Sequence, residues 1–347
     1  MVLGPYMAHV AMVVTNSCAP DPRVERHALW LTEMGHKVEI HAWDRECDNP
    51  QNEIKLGYKI IRYRIGKSPT TGAMKTWIRK KRFISNLRID SDILILNDTD
   101  SMGVKFQGKT ILDIHDMAFT WPLMRGRSIL HKLASKRMLK QAKDAVAYAD
   151  KIIVSAPKFS EWVSRFGKTT TCVMNRIDRQ SIVISTDKKI GYFGRIREYK
   201  SMLHLIEAAK IAGFDVILAG DGLAVEDLIN DFPNLDYRGK FNEAELDNLM
   251  QEISVMYAMY DDSRENIQLG AIPTKMLNAA AYGIPSVTNS GTPMGELCLS
   301  EGFGTVAPYG DAGKISQAIL EAYQMKVVPK VGNDKQEFSN VIQALLD

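Results

Sequence analysis

The feature that most constrains this chain is a rhythm in which short apolar runs alternate with longer amphipathic stretches, and the rhythm starts twice. His9–Val14 is an apolar run. It leads through a polar, proline-bearing loop into the helical pattern Val24, Ala28, Leu31 and Met34, which Gly35 stops before a second run at 38–42. Strand, crossover helix and following strand form the unit from which parallel sheets are built. Runs at 58–63, 93–96, 110–113, 152–154 and 171–173 extend the first series. A polar stretch, Asp178-Arg-Gln-Ser and then Thr186-Asp-Lys-Lys189, breaks the pattern and is the expected hinge between two domains. The pattern then resumes with runs at 190–193, 215–219, 235–238, 255–259, 285–288 and 304–307, and helical stretches at 201–212, 223–231, 243–251, 274–282 and 311–325. The expectation is an α/β protein with a Rossmann-like domain over 1–178 and a second over 186–325. A helical segment at 326–347 is expected to pack back on the first domain.

The length supports this division, because 347 residues exceed what one hydrophobic core usually organises. An apolar fraction of 45% and a charged fraction of 24% are ordinary for folded globular chains and argue against disorder. The net charge of +3 conceals an asymmetry: residues 1–178 hold 29 Lys and Arg against 18 Asp and Glu, a net +11, and the remainder 15 against 23, a net −8. A basic first half suits an anionic partner, be it a phosphorylated substrate, a membrane surface or a nucleic acid, and no nucleic-acid motif accompanies it. Cys18, Cys47, Cys172 and Cys298 form no metal or disulfide spacing and read as reduced thiols of a cytoplasmic protein. The run at 8–14 lacks the basic flank of a secretory signal, and no run approaches the roughly 20 apolar residues of a membrane-spanning helix.

Chemistry concentrates in the second half. In Gly194-Arg195-Ile-Arg-Glu-Tyr-Lys200 a strand ends in glycine and presents two cations beside a helix start. Such a place binds anions: glycine lets the backbone approach, guanidinium offers a fork of donors, and the helix end adds unpaired amides. Taken alone, a surface turn with solvated charges accounts for the segment equally well. It is followed by Gly220-Asp221-Gly222, a glycine loop at a strand end, and by Gly270-Ala-Ile-Pro273-Thr274-Lys275, which opens a helix closed by Gly283.

This order of motifs resembles the GT-B-fold retaining glycosyltransferases, glycosyltransferase family 4-like and also known as glycosyl transferases group 1, a family that includes sucrose synthases and bacterial mannosyltransferases. The matching elements are Gly194-Arg195, Lys200, Gly220-Asp-Gly222, Tyr237-Arg-Gly239, Pro273-Thr-Lys275 and Gly283-Ile-Pro285. Asp21-Pro-Arg23-Val24, Gly35-His-Lys-Val38 and Leu112-Asp-Ile-His115-Asp116 precede them, so the resemblance spans roughly residues 9–310. It implies two Rossmann-like domains facing each other across a cleft, and a sugar moved with retention from a nucleotide-diphosphate sugar to a saccharide or lipid-linked saccharide. That sugar nucleotide is a co-substrate; neither cofactor nor metal is implied. Arg195 and Lys200 would stabilise the departing diphosphate, and His115 would lie near the reacting sugar. Gly194, Gly220, Asp221, Gly222, Lys240, Thr274, Lys275, Asn278 and Glu265 would line the donor site, with Asp21 and Arg23 on the acceptor side. The chain departs from the family at its two glutamates, whose positions hold Gly270 and Asn278. Asn278 retains hydrogen-bonding capacity toward a ribose.

Other readings stay open. His115 is also explained as a histidine satisfied by Asp113 or Asp116 at a strand end. Asp98-Thr-Asp100 has the spacing of a metal-binding carboxylate pair, although the Arg/Lys pair already supplies a diphosphate seat and a loop on the acceptor side is expected. The basic-apolar stretches 74–83 and 125–143 suit the inner face of an anionic membrane, but a core-facing helix with a solvated basic face is the expectation. A nucleotide-sugar epimerase of the same fold, and a degenerate transferase that only binds nucleotide or a partner, are the alternative functions.

Overall fold

In a computed structural model, which describes residues 7–67, 73–178, 180, 185–328 and 332–347, the apolar runs pair into two sheets, each within its own compact unit. Unit 1 takes in the chain to Met174 and again from Asn333 to Asp347; unit 2 is Asn175–Gly332. The N-terminal unit therefore gives up the chain ahead of the 178 boundary read from sequence and regains it near the end.

Unit 1 opens with β1 (His9–Val14), α1 (Pro22–Glu33) and β2 (Lys37–Trp43), followed by β3 (Asn52–Lys55), β4 (Tyr58–Tyr63) and α2 (Ala73–Asn86). It continues through β5 (Ile93–Asn97), β6 (Lys109–Ile114), α3 (Trp121–Arg125), α4 (Ile129–Tyr148), β7 (Lys151–Val154), α5 (Pro157–Ser164) and β8 (Thr171–Cys172). The strands order as β3-β4-β2-β1-β5-β6-β7-β8. All pairs are parallel except β3 with β4, an antiparallel edge hairpin that the sequence reading missed. β3 is polar and largely exposed, so it lacks the apolar run by which the others are recognised.

Unit 2 contains β9 (Lys189–Phe193), α6 (Tyr199–Ala212), β10 (Asp215–Ala219), α7 (Val225–Asp231), β11 (Asp236–Tyr237), α8 (Leu246–Gln251) and β12 (Val255–Tyr257). It then runs through α9 (Glu265–Gln268), α10 (Thr274–Ala281), β13 (Ser286–Asn289), α11 (Pro293–Glu301), β14 (Gly304–Ala307) and α12 (Ala312–Gln324). Its all-parallel sheet has the order β11-β10-β9-β12-β13-β14. Alternate residues of these strands enter two cores, as the two-residue period of a strand requires: Ile190, Tyr192, Val255 and Tyr257 pack with α6 and α12, while Phe193, Ile217 and Met256 pack with α8 and α10.

The last helix, α13 (Asp334–Leu346), inserts Phe338, Val341, Ile342 and Leu345 into the core of unit 1 beside Val24, Ala28 and Leu31 of α1. Phe338 stacks on His27 at 4.4 Å between ring centroids. Elsewhere the apolar face expected of the 125–143 stretch fails to reach a core. Ile129, Leu130 and Leu133, on the first turns of α4, are 78%, 77% and 57% exposed, and only Ala142, Ala145 and Val146 near its far end are buried. None of the four cysteines forms a disulfide. Among the described residues no helix is long and apolar enough to cross a membrane.

Candidate active site

In open parallel sheets, ligands bind beyond the carboxyl ends of the strands where the strand order reverses. In unit 1 that point lies between β1 and β5, and in unit 2 between β9 and β12. The chemically active residues of the sequence fall at these two places, but the two are built differently.

In unit 1 the centre is Asp113, fully buried near the end of β6. Arg23, in the first turn of α1, grips it through Nη2 at 2.6 Å and Nε at 3.0 Å and donates from Nη1 to the Val173 carbonyl at 2.7 Å. His27 Nδ1 lies 3.1 Å from the same carboxylate. His115 Nε2 also meets it at 3.1 Å, and its Nδ1 faces Asp98 at 3.6 Å. Burial works against the charge on Asp113, but Arg23, His115 and His27 outweigh it and hold the carboxyl well below its usual range. Burial likewise opposes a charged His115, yet Asp98 and Asp113 raise it to about 9, so at neutral pH it is an imidazolium, a hydrogen-bond donor rather than a base. His27, wholly buried and beside Arg23, is pushed down to about 3 and stays neutral.

The two residues expected on the acceptor side both have partners within the fold. Arg23 is 5% exposed and bonded to Asp113, which anchors α1 to the sheet. Asp21 caps α1: one oxygen accepts from Val24 N–H and the other from the Asn16 amide, while its own N–H donates to the Glu25 carboxylate. His115 takes Asp113 and Asp98 as partners; Asp116 instead accepts from the Trp121 indole at 2.8 Å. The carboxylates of the Asp98-Thr-Asp100 pair point to internal donors. Asp98 accepts from the backbone N–H of His115 at 2.7 Å, and Asp100 from the Thr15 hydroxyl at 2.5 Å. Among the described residues no group of side chains has the arrangement of a metal site. Asp98 adopts φ 64, a conformation that L residues rarely hold, so β5 ends in a strained turn that aims this carboxylate at His115.

In unit 2 the strand ends are glycine because backbone meets backbone. A Cβ on Gly220 would stand 1.8 Å from the Gly194 carbonyl oxygen, and one on Gly222 2.0 Å from that of Ile196. Ile196 N–H donates to the Asp221 carbonyl at 2.8 Å and Ala224 N–H to that of Ile196 at 3.2 Å, which zips the two loops together. Gly220 and Gly222 thus shape the Gly194–Ile196 loop, a structural reason that the expectation of donor contact had not included. On the loop so fixed, Arg195 is 65% exposed and pairs with Asp221 at 3.0 Å; Lys240, 78% exposed, reaches the other oxygen of Asp221 at 3.4 Å. Lys200 is exposed on the first turn of α6. One partly exposed carboxylate therefore serves two cations.

Around α10 the predicted residues separate. Thr274 is exposed and Asn278, one turn on, is half-buried on the same face; Lys275 turns inward and is 7% exposed. Pro273 supplies no side-chain cap to the helix. The Lys275 amine lies 2.9 Å from the centre of the Tyr192 ring and 5.2 Å from that of Tyr260, and no hydrogen-bond partner meets it. A cation over an aromatic face gains about 2 kcal/mol, less than the several kcal/mol that a desolvated ammonium costs. Burial accordingly holds the amine well below its usual range, with Glu198 opposing. Gly270, where the family has its first glutamate, is buried at φ 108, a backbone on which a glutamate would be strained. Glu265 is exposed at the start of α9.

Five residues of this region escaped the sequence reading. Glu198 accepts from Asp261 N–H at 3.0 Å and from Arg264 at 2.5 Å, tying the β9–α6 loop to the segment after β12. Asn289 brackets Tyr260 by bonding to both its N–H and its carbonyl. Only Glu198 had a local signal, its place between Arg195 and Lys200.

Residues 187–325 match the family model described as Glycosyl transferases group 1. No curated protein matches the sequence at a significant level. Among solved structures, the chain is similar to sucrose-phosphate synthase from Thermosynechococcus elongatus, with a TM-score of 0.69 and 14% identity over 97% of this chain and 96% of that one. It is also similar to Anabaena HepE in complex with UDP and glucose, with a TM-score of 0.64 and 13% identity over 97% and 99% of the two chains. The catalytic domain of Arabidopsis thaliana starch synthase IV bound to ADP and acarbose gives 0.63 and 11% over 97% and 95%.

Proposed function

We propose that this protein is a glycosyltransferase that transfers the sugar with retention and without a metal, because residues 187–325 match the glycosyl transferases group 1 model and the chain has the GT-B fold. The observation that carries the reading is the exposed cation set at the carboxyl end of β9. Arg195 and Lys240 share one carboxylate, Asp221, near the switch point of unit 2, and Lys200 is exposed on the first turn of α6. When the bond between sugar and diphosphate breaks, negative charge grows on the leaving oxygens, and preorganised cations stabilise that charge more than they stabilise the intact donor. They supply what a divalent ion would otherwise supply, while Asp98 and Asp100 are engaged with internal donors. Retention rests on the motif order shared with retaining transferases. HepE was crystallised with UDP and starch synthase IV with ADP, so both diphosphates are suitable probes of this site.

The test is a donor panel incubated with and without acceptor saccharides in the presence of EDTA, with the anomeric configuration of the product read by NMR. Transfer with the donor's anomeric configuration supports the proposal. Inversion, or dependence on a divalent metal, refutes that part of it, and epimerised sugar in the absence of acceptor identifies the epimerase alternative. Unchanged turnover in Arg195→Ala/Lys200→Ala removes the cations from the mechanism.

For the acceptor, the reading is a lipid-linked saccharide. Met74 and Ile78 of α2 and Ile129, Leu130 and Leu133 of α4 are exposed, and Arg125, Arg127, Lys132, Lys136 and Lys140 are exposed among them. Trp77 of α2 lies between Lys81 and Arg137 of α4, with the two cations 4.2 and 4.1 Å from its ring, so the two helices present one basic-apolar face. Such a face suits an anionic bilayer surface. Flotation with vesicles containing phosphatidylglycerol at low salt tests it: wild type floats and Ile129→Ser/Leu130→Ser/Leu133→Ser stays in the pellet, whereas a wild type that does not float ends the idea.

A further inference from the structure

Arg195, Lys200 and Lys240 lie at the surface, but a fourth cationic side chain of the same region does not. The Lys275 amine is buried against Tyr192 on the inner side of the Gly194 turn. A Cβ at Gly194 would lie 3.8 Å from Lys275 Cε and 4.0 Å from Nζ, and Gly194 holds φ 135, so the glycine leaves open the space between the turn and the amine. The charged and titratable groups around it come from two segments. From β9 and the loop after it come Tyr192, whose hydroxyl donates to the Arg195 carbonyl at 2.9 Å, and Glu198. From the segment after β12 come Tyr260 and Arg264. Glu198 is already taken by Arg264 and the Asp261 amide, and burial keeps both phenols protonated. The amine thus has a π face beneath it and no hydrogen-bonded counter-ion.

A buried amine with no anion beside it can carry its charge only when a ligand brings one. Resting on the donor reading given above, we propose that Lys275 is the inner cation of the diphosphate seat: uncharged against Tyr192 while the seat is empty, it takes one proton from solvent as it meets the phosphate oxygens of an arriving nucleoside diphosphate. Only an N–H bond forms, and the proton comes from the buffer. The seat thereby distinguishes a diphosphate, whose charge can offset a buried ammonium, from a neutral nucleoside that cannot.

The experiment is titration calorimetry of the full chain with UDP, ADP and GDP at pH 8, in HEPES and in Tris, whose ionisation enthalpies differ. At this pH the terminal phosphate, with its pKa near about 6, is fully ionised and brings no proton of its own. Expected is an uptake of about one proton per diphosphate bound, and a dissociation constant that rises about tenfold per pH unit above pH 8. Lys275→Met, which keeps the length and removes the charge, should bind more weakly with no uptake, while its thermal midpoint stays at or above that of wild type. Equal proton uptake in wild type and Lys275→Met, or a wild-type affinity flat between pH 7 and 9.5, overturns the proposal, and the second result needs no variant to fold. If none of the three diphosphates binds wild type, the donor reading itself has failed and the proposal falls with it. Binding without proton uptake leaves the donor reading intact and refutes the role of Lys275 alone.

Discussion

At the carboxyl end of the first sheet Asp113 gathers Arg23, His27 and His115, and three of the four side chains are at most 5% exposed. At the same end of the second sheet Asp221 faces Arg195 and Lys240, both mostly in solvent. The first cluster is closed: its acid is shared among partners that reach it from α1 and from its own strand, and its charges serve the fold. The second is open, with more cation than carboxylate and no internal partner to complete it. A common strand-loop-helix plan thus yields an internal fastening in one unit and, in the other, the open cation set proposed above as an anion seat; on that proposal the deciding variable is whether the counter-charge comes from the protein or from the ligand.

The sharpest break between them should come from removing the open set. Arg195→Ala/Lys200→Ala is expected to lower kcat/KM by about 10⁴-fold or more, taking about 10² to 10³ for each charge-stabilising donor lost. The urea midpoint should not move, because both side chains are exposed. The reverse holds for the closed set. Asp113→Asn leaves Arg23 buried without its anion and should cost about 3–5 kcal/mol of stability, read from chemical denaturation. A loss below about 1 kcal/mol would show that Arg23 finds another acceptor.

A third outcome separates the clusters by pH. His115 is raised in the folded protein to about 9 from an ordinary 6.5, so its contribution is complete below pH 6.5 and fades as pH rises toward 9. Asp113, held low, and His27, lowered to about 3, contribute in the opposite sense: His27 stabilises fully above pH 6.5 and less as pH falls toward 3. Wild type should therefore lose up to about 3 kcal/mol between pH 7 and 10, and His115→Gln much less of it over the same range. A parallel decline in both proteins would remove His115 from the account. The smallest effect is expected at Asp221→Asn. Freeing Arg195 and Lys240 from their shared exposed acid should tighten UDP binding only a few-fold, because such pairs are worth about 0–1 kcal/mol.

The comparison also marks how far the sequence could be read. The strands of both sheets were legible because each carries an apolar run, and α12 because Asp311 caps a clear amphipathic period. β3 was not, since a polar edge strand has no run to detect, and α11 was passed over although Thr292, Pro293 and Glu296 spell its start. At the site, Gly194, Arg195 and Lys200 were legible as a local string. The bond from Arg23 to Asp113 joins residues ninety positions apart, so no local pattern reports it. Lys275 illustrates a subtler limit. Thr274 and Lys275 are neighbours in sequence, but the 100° between successive helical positions sends one to solvent and the other beneath Gly194, and the direction of each is set by how α10 packs on β12 and β13.

The return of α13 to unit 1 makes unit 2 an insertion within a host. Truncation at Met174 would strip His27 of its Phe338 cover and leave the host core open, whereas joining Met174 to Asn333 through a short linker would excise the guest and keep that core whole. The boundary that matters for expressing either unit alone is therefore a pair of junctions, and a single cut in the sequence spoils the host while sparing the guest.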